Sequence, residues 1–167
     1  CLMMSMVIML AGCGGKPEGS APAADGKIKA VVSFDAMKEL TEAVGGDKVA
    51  VTVIIPDGTE PHDFEPKADN IRQIGKADVF VYNGLGMEPW AEKAIQAADN
   101  HNLHAVEASR GATPIAITDE EEKKEHGADD PHLWLSPRGA ELEAANIRDA
   151  LIEADPGDKE YFTSNYN

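Results

Sequence analysis

The sequence predicts an α/β protein with a parallel four-stranded sheet flanked by helices, and three observations carry that prediction. Short β-branched runs recur at Ile28–Ser33 (IKAVVS), Val49–Ile55 (VAVTVII) and Val79–Tyr82 (VFVY), with a weaker one at Leu103–Val106. Stretches with helical spacing lie between them. Glycine and proline signals close those stretches off. Strands alternating with helices imply βαβ units, whose crossovers give parallel strands covered on both faces.

Each element has its own warrant. Val49–Ile55 is nearly continuous in apolar residues, the pattern of a strand buried on both faces. Asp35–Val44 puts Met37, Leu40 and Val44 on one helix face and stops at Gly45-Gly46. Ala68–Gly75 spaces Ile71 and Ile74 three apart, and Glu88–Ala98 has Pro89 in its expected first turn. Gly84-Leu85-Gly86 lacks the third glycine of a dinucleotide loop and reads as a turn after the third strand. Further on, Leu142, Ala145, Ile147, Ala150 and Leu151 recur at helical spacing over Gly139–Glu153, with Ser136 as N-cap and Pro137 just inside. Asp155-Pro156 ends that helix, and residues 157–167 read as the opening turns of another.

Composition narrows the function. A length of 167 residues favours one domain, or one domain plus tails, and 43% hydrophobic residues argue against global disorder. With 15 Lys+Arg against 30 Asp+Glu, the net charge of −15 argues against nucleic acid and suits a cationic ligand. The two cysteines, Cys1 and Cys13, both precede the folded part, which excludes a disulfide-stapled core or a cysteine zinc site there.

The N-terminal segment reads as an address. Leu2–Ala11 is an apolar run of ten residues, about half the ~20 needed to span a bilayer as a helix, and it fits the apolar part of a secretory signal. It ends in Leu10-Ala11-Gly12-Cys13, which resembles the lipobox of bacterial lipoproteins, where the cysteine is lipidated and becomes the mature N-terminus. Residues 1–12 are thus expected to be a truncated lipoprotein signal peptide, without Met or basic flank, and Cys13 the lipidation site. Residues 13–27, rich in Gly, Pro, Ala and Ser, read as a flexible tether. A folded lobe is expected over 28–156.

No HExxH, GxSxG, GxxxxGK[ST] or CxxC is present, so enzyme chemistry has little support. Of the five histidines, two share an unusual setting. His62 lies in PDGTEPHDFEP directly after an apolar strand, and His132 lies in DDPHLWLSP. Each follows a proline that stiffens the backbone, and each has a carboxylate nearby to orient its ring. Such an arrangement suits a borderline divalent metal. Loops at the carboxyl ends of parallel strands are also where α/β sheets bind ligands. The two lie 70 residues apart, so spacing alone leaves metal ligands and structural loop histidines both open. His101 and His104 read as turn or surface residues. His126 falls in an acidic stretch, 118–130, which reads as a solvated loop or as a collector of cations.

Taken together, the lipobox and tether, PHDFEP, KADVFVYNGLGMEPW and DPHLWLSP resemble the zinc/manganese-binding lipoproteins of bacterial ABC importers, from about Ile28 onward. The resemblance implies two α/β lobes joined by a long rigid helix that begins near Gly157, with a metal held between the lobes. It makes His62 and His132 the ligands from the N-terminal lobe. It assigns no ligand role to Asp63, Glu65 or Asp130, while Glu60 could approach the site. The remaining ligands, His or Glu and Asp or Glu, would come from a C-terminal lobe outside this sequence, and a single lobe is expected to hold metal weakly. Zinc-specific members often carry a His-rich loop where this chain has its acidic stretch. Zinc versus manganese therefore stays open, two imidazoles leaning toward Zn2+ over Mn2+.

The implied activity is capture without catalysis: an extracytoplasmic, lipid-anchored, monomeric solute-binding protein that delivers its ion to a membrane permease driven by an ATPase. Binding should weaken as imidazoles protonate in mild acid. Two other classes are weighed. A metallo-hydrolase needs a third ligand and a general base, and zinc-dependent ester hydrolysis would reveal it. A cell-adhesion protein, a label some similar proteins carry, would bind a host protein even after chelation.

Overall fold

The structure, a computed structural model, describes residues 26–167. The signal segment 1–12, Cys13 and most of the tether lie outside the described residues. Four parallel strands form the sheet: β1 (Ile28–Val32), β2 (Val49–Val53), β3 (Val79–Tyr82) and β4 (His104–Glu107). Their spatial order is β2-β1-β3-β4. Ile28 pairs with Val49, Ala30 with Val79 and Val79 with His104, so the strand ends are aligned along one edge. Between them run α1 (Asp35–Gly45), α2 (Ala68–Ile74) and α3 (Ala91–Ala98). Helices α1, α5 (Pro137–Ala154) and α6 (Lys159–Tyr166) pack together, α5 also against β3 and β4, while α2 packs on α3.

The expected α/β class and the order of its strands and helices hold, with four differences. β2 is an edge strand, so Ala50 and Thr52 face solvent and Val51 and Val53 are half-buried; the positions buried on both sides are in the central β1 and β3. α3 begins at Ala91, not Glu88. The Glu88 carboxylate turns back to accept the backbone N–H groups of Asn83 (2.9 Å) and Gly84 (3.0 Å), which leaves Pro89 in a turn before the helix. The acidic stretch is not all loop: β5 (Ile115–Ala116) and β6 (Asp129–Asp130) form an antiparallel ribbon around α4 (Glu120–His126). His104 opens β4, half-buried, where a turn residue was expected.

Local chemistry accounts for the ends of the other helices. Gly46, at φ 53°, ends α1, and a Cβ there would strike the Tyr161 hydroxyl. Ser136 caps α5 by accepting the Gly139 N–H at 3.0 Å, with Pro137 at the first helical position. Asp155 ends it. Helix α6 buries Phe162 completely and is tied to α1 by Asn165 Nδ2 donating to the Val44 carbonyl at 2.9 Å, and to the turn just after α1 by Tyr161 Oη donating to Asp47 at 2.6 Å. The core runs from Val32, Val79, Phe80 and Val81 to Met37 and Ile74 on the helices beside the sheet and Ile147 and Leu151 of α5.

Candidate metal centre

The strand order puts a topological switch between β1 and β3: the chain leaves β1 toward β2, then returns across the sheet to β3. Ligands in open parallel sheets bind outside the carboxyl ends of the strands at such a switch. Sheet-like pairing continues past the strands there, with Ile55 N–H donating to Ser33 O (2.9 Å) and Ser109 N–H to Asn83 O (3.0 Å). The loops that follow therefore leave from a fixed platform.

The first loop follows β2. Its turn at Pro56–Thr59 uses Gly58 at φ 76°, and Pro61 opens a single 3-10 turn, Pro61–Asp63, that carries His62. Phe64 packs edge-on against the buried Trp90 at 5.6 Å, which seats the loop on the core. His62 is half-buried and its Nε2 is shielded from solvent.

The second loop follows β6. Asp130 Oδ1 accepts both the backbone N–H of His132 (3.0 Å) and its ring Nδ1–H (2.7 Å). An Nδ1–H held in that way leaves Nε2 as the ring's lone-pair donor. Trp134, in the 3-10 turn Leu133–Leu135, lies 5.3 Å from the His132 ring and 5.0 Å from Phe34. The imidazole thus stands against an apolar wall, where an electrostatic interaction is less screened than in water.

The two loops bring His62 and His132 face to edge, with ring centroids 6.1 Å apart and planes at 70°. Two imidazoles on one ion, with M–N bonds of about 2.0–2.1 Å at a tetrahedral angle, have centroids about 5 Å apart. The observed gap is wider by about 1 Å, so the rings must approach by that much to share an ion. Glu60, Asp63 and Glu65 are exposed, and no three His, Cys, Asp or Glu side chains among the described residues converge as a metal set. Asp130 serves the ring rather than the gap.

The structure brings the two histidines singled out in the sequence to one edge, and beneath them lie groups that the sequence reading did not single out. Asn83, fully buried at the end of β3, donates from Nδ2 to Gly84 O (2.9 Å) and to Pro131 O (3.0 Å). The Asn-Gly pair after an apolar strand was the available signal. Glu88 is 6% exposed, and burial pushes its carboxyl up, against the pull of the two N–H groups it accepts. Glu143 on α5 is wholly buried, and neither of its oxygens has a hydrogen-bond partner. Burial first, then the charge of Glu88, push it up to about 7. The remaining histidines are elsewhere: His101 and His104 at the opposite edge of the sheet, His126 at the end of α4.

A parallel α/β lobe with paired imidazoles at its switch point has the layout of a ligand-capturing module. The family model described as ZnuA, zinc-uptake complex component A, periplasmic, matches residues 30–167, and the chain belongs to that family. The high-affinity zinc uptake system protein ZnuA of Bacillus subtilis is 37% identical over 166 residues, covering 95% of this chain and 52% of the relative. The manganese-binding lipoprotein MntA of Halalkalibacterium halodurans is 31% identical over 164 residues, covering 98% and 52%. Among solved structures, Zn(II)-bound AdcA of Streptococcus pneumoniae superposes with a TM-score of 0.74 at 35% identity, over 84% of this chain and 29% of that one. The chain spans about half the length of the two curated relatives.

Proposed function

We propose that this chain supplies the N-terminal metal-binding lobe of an extracytoplasmic solute-binding component of an ABC importer, with a divalent transition ion as cargo. His62 and His132 are the ligands of this lobe. The observation that carries the reading is their convergence: side chains 70 residues apart in sequence meet at 6.1 Å on the switch-point edge. Neutral imidazole nitrogens suit zinc first and manganese second, and relatives named for each metal fit both. Ligands from a second lobe complete the sphere, Cys13 carries the lipid anchor, and a permease with its ATPase receives the ion.

The experiment is a zinc titration of the full-length protein in competition with a chromophoric chelator. His62→Ala and His132→Ala are each expected to weaken binding by more than about a hundredfold, beyond the roughly 10–100-fold that a lost outer partner costs. Unchanged affinity in both variants rejects the assignment.

A further inference from the structure

Two imidazoles carried on separate loops keep a fixed distance only if something ties the loops to a common base. His132 is rigid with respect to its own loop, because Asp130 Oδ1 holds both its ring and its backbone N–H. That clamp moves with the loop and says nothing of where the loop stands. His62 is placed from the other side of β1, by the path from β2.

The link between them is Asn83. Its backbone is held at both ends, the N–H by Glu88 Oε1 at 2.9 Å and the carbonyl by Ser109 N–H at 3.0 Å. The next residues, Gly84, Leu85 and Gly86, have φ values of 89°, 52° and 86°. Such a run of left-handed backbone is unfavourable for Leu85 and persists only when its surroundings hold it. Glu88 supplies the hold by accepting the Gly84 N–H at 3.0 Å as well. A Cβ at Gly84 would collide with the Glu107 side chain, so the turn also requires glycine. From this fixed base the Asn83 carboxamide reaches across 48 positions of sequence to the Pro131 carbonyl, at 3.0 Å, one peptide before His132.

We propose that Asn83 is the positioning residue of the centre: its carboxamide, anchored in the Glu88-held turn, fixes the His132 loop to the end of β3 and so sets the gap to His62. The inference rests on the metal-capture reading and deepens it. Pro131 O also accepts the Leu133 N–H at 2.9 Å, so removing the carboxamide leaves that carbonyl satisfied. Loss of Asn83 therefore cuts the loop's hydrogen bond to the end of β3 with only a modest cost to folding, and leaves Trp134 against Phe34 as the loop's remaining seat. The His132–Asp130 clamp survives, and what changes is the distance between rings.

The test uses zinc alone, by chelator competition, and cobalt as a spectroscopic stand-in, on the full-length protein. Asn83→Ala, and Asn83→Leu, which removes the donor while keeping the buried volume in case the alanine cavity disturbs folding, are each expected to weaken zinc about tenfold and to alter the cobalt d–d bands. A matched control is Asn100→Ala, which removes a like carboxamide, Nδ2 to the Ala77 carbonyl at 2.9 Å, from the opposite edge. It should leave zinc affinity and the cobalt spectrum unchanged. Full zinc affinity with an unaltered spectrum in Asn83→Ala or, where that variant is poorly folded, in Asn83→Leu overturns the proposal, as does an equal loss in Asn100→Ala. His62→Ala in the same series separates the two claims: if it loses zinc while the Asn83 variants keep it, only the positioning role falls. If His62→Ala and His132→Ala both keep zinc, the metal-centre reading falls and takes this one with it.

Discussion

At the carboxyl ends of the strands, His62 and His132 face each other at 6.1 Å, each after a proline, one against Trp134 and the other with its Nε2 shielded. At the amino ends, His101 and His104 also sit among carboxylates, beside a cleft of about 420 Å³ that includes Asp78, Glu153 and Asp155. By inventory the second edge is as rich in potential ligands as the first. The difference is in support. The His101 side chain is 93% exposed, and His104 meets Glu153, itself 71% exposed, at 3.5 Å. Nothing buried holds those rings against each other, so ordering them around an ion costs rotamer entropy that the first edge has already lost in folding. Preorganisation, rather than the number of donors, is what distinguishes the carboxyl edge from the amino edge.

The largest effect expected from that contrast is between the two histidine pairs. The double variant His101→Ala/His104→Ala should bind zinc as the parent does, whereas either variant at the other edge loses more than about a hundredfold, beyond the roughly 10–100-fold of a lost outer partner. A comparable loss from the double variant in chelator competition would erase the distinction.

A smaller effect is expected from the carboxylates that partner the rings. Asp130→Ala frees Nδ1 and the backbone N–H of His132 together, and should weaken zinc about tenfold. Glu153→Ala, which removes the partner of His104, should do nothing to zinc. Isothermal calorimetry on the two variants settles the matter, and equal heats and affinities would show that the Asp130 clamp is incidental.

How much of this was legible in the sequence follows the same line between local and distant causes. The β-branched runs, the Gly45-Gly46 stop and the Ser136-Pro137 start are local patterns, and the structure reproduces them. The misreading of β2 came from position: the run Val49–Ile55, VAVTVII, looks buried throughout, yet the strand order places β2 at the edge with Ala50 and Thr52 outward. The late start of α3 has a tertiary cause too, since Glu88 is spent on the turn beneath the site. Both histidines were visible because proline and carboxylate neighbours mark them within a few residues. Asn83 was not, because its decisive contact is with a carbonyl 48 positions away.

The smallest effect concerns the carboxylates buried in the body of the lobe, of which the amino edge has no counterpart among its lining residues. Glu143 ionises in the unfolded chain near 4.5 and in the folded lobe near 7, raised by burial and by Glu88. Between those values the folded protein holds a proton that the unfolded chain has released, so stability falls as pH rises through that window and the full penalty is present above it. Below about 4.5 both states are protonated and the penalty is gone. Glu143→Gln removes the titration while keeping the shape. After allowance for solvent screening, it should gain about 1 kcal/mol over the parent at pH 8 and lose that advantage at pH 4.5. Urea midpoints at the two pH values read the effect, and a Glu143→Gln advantage of equal size at both would mean that the buried carboxyl does not titrate as its surroundings require.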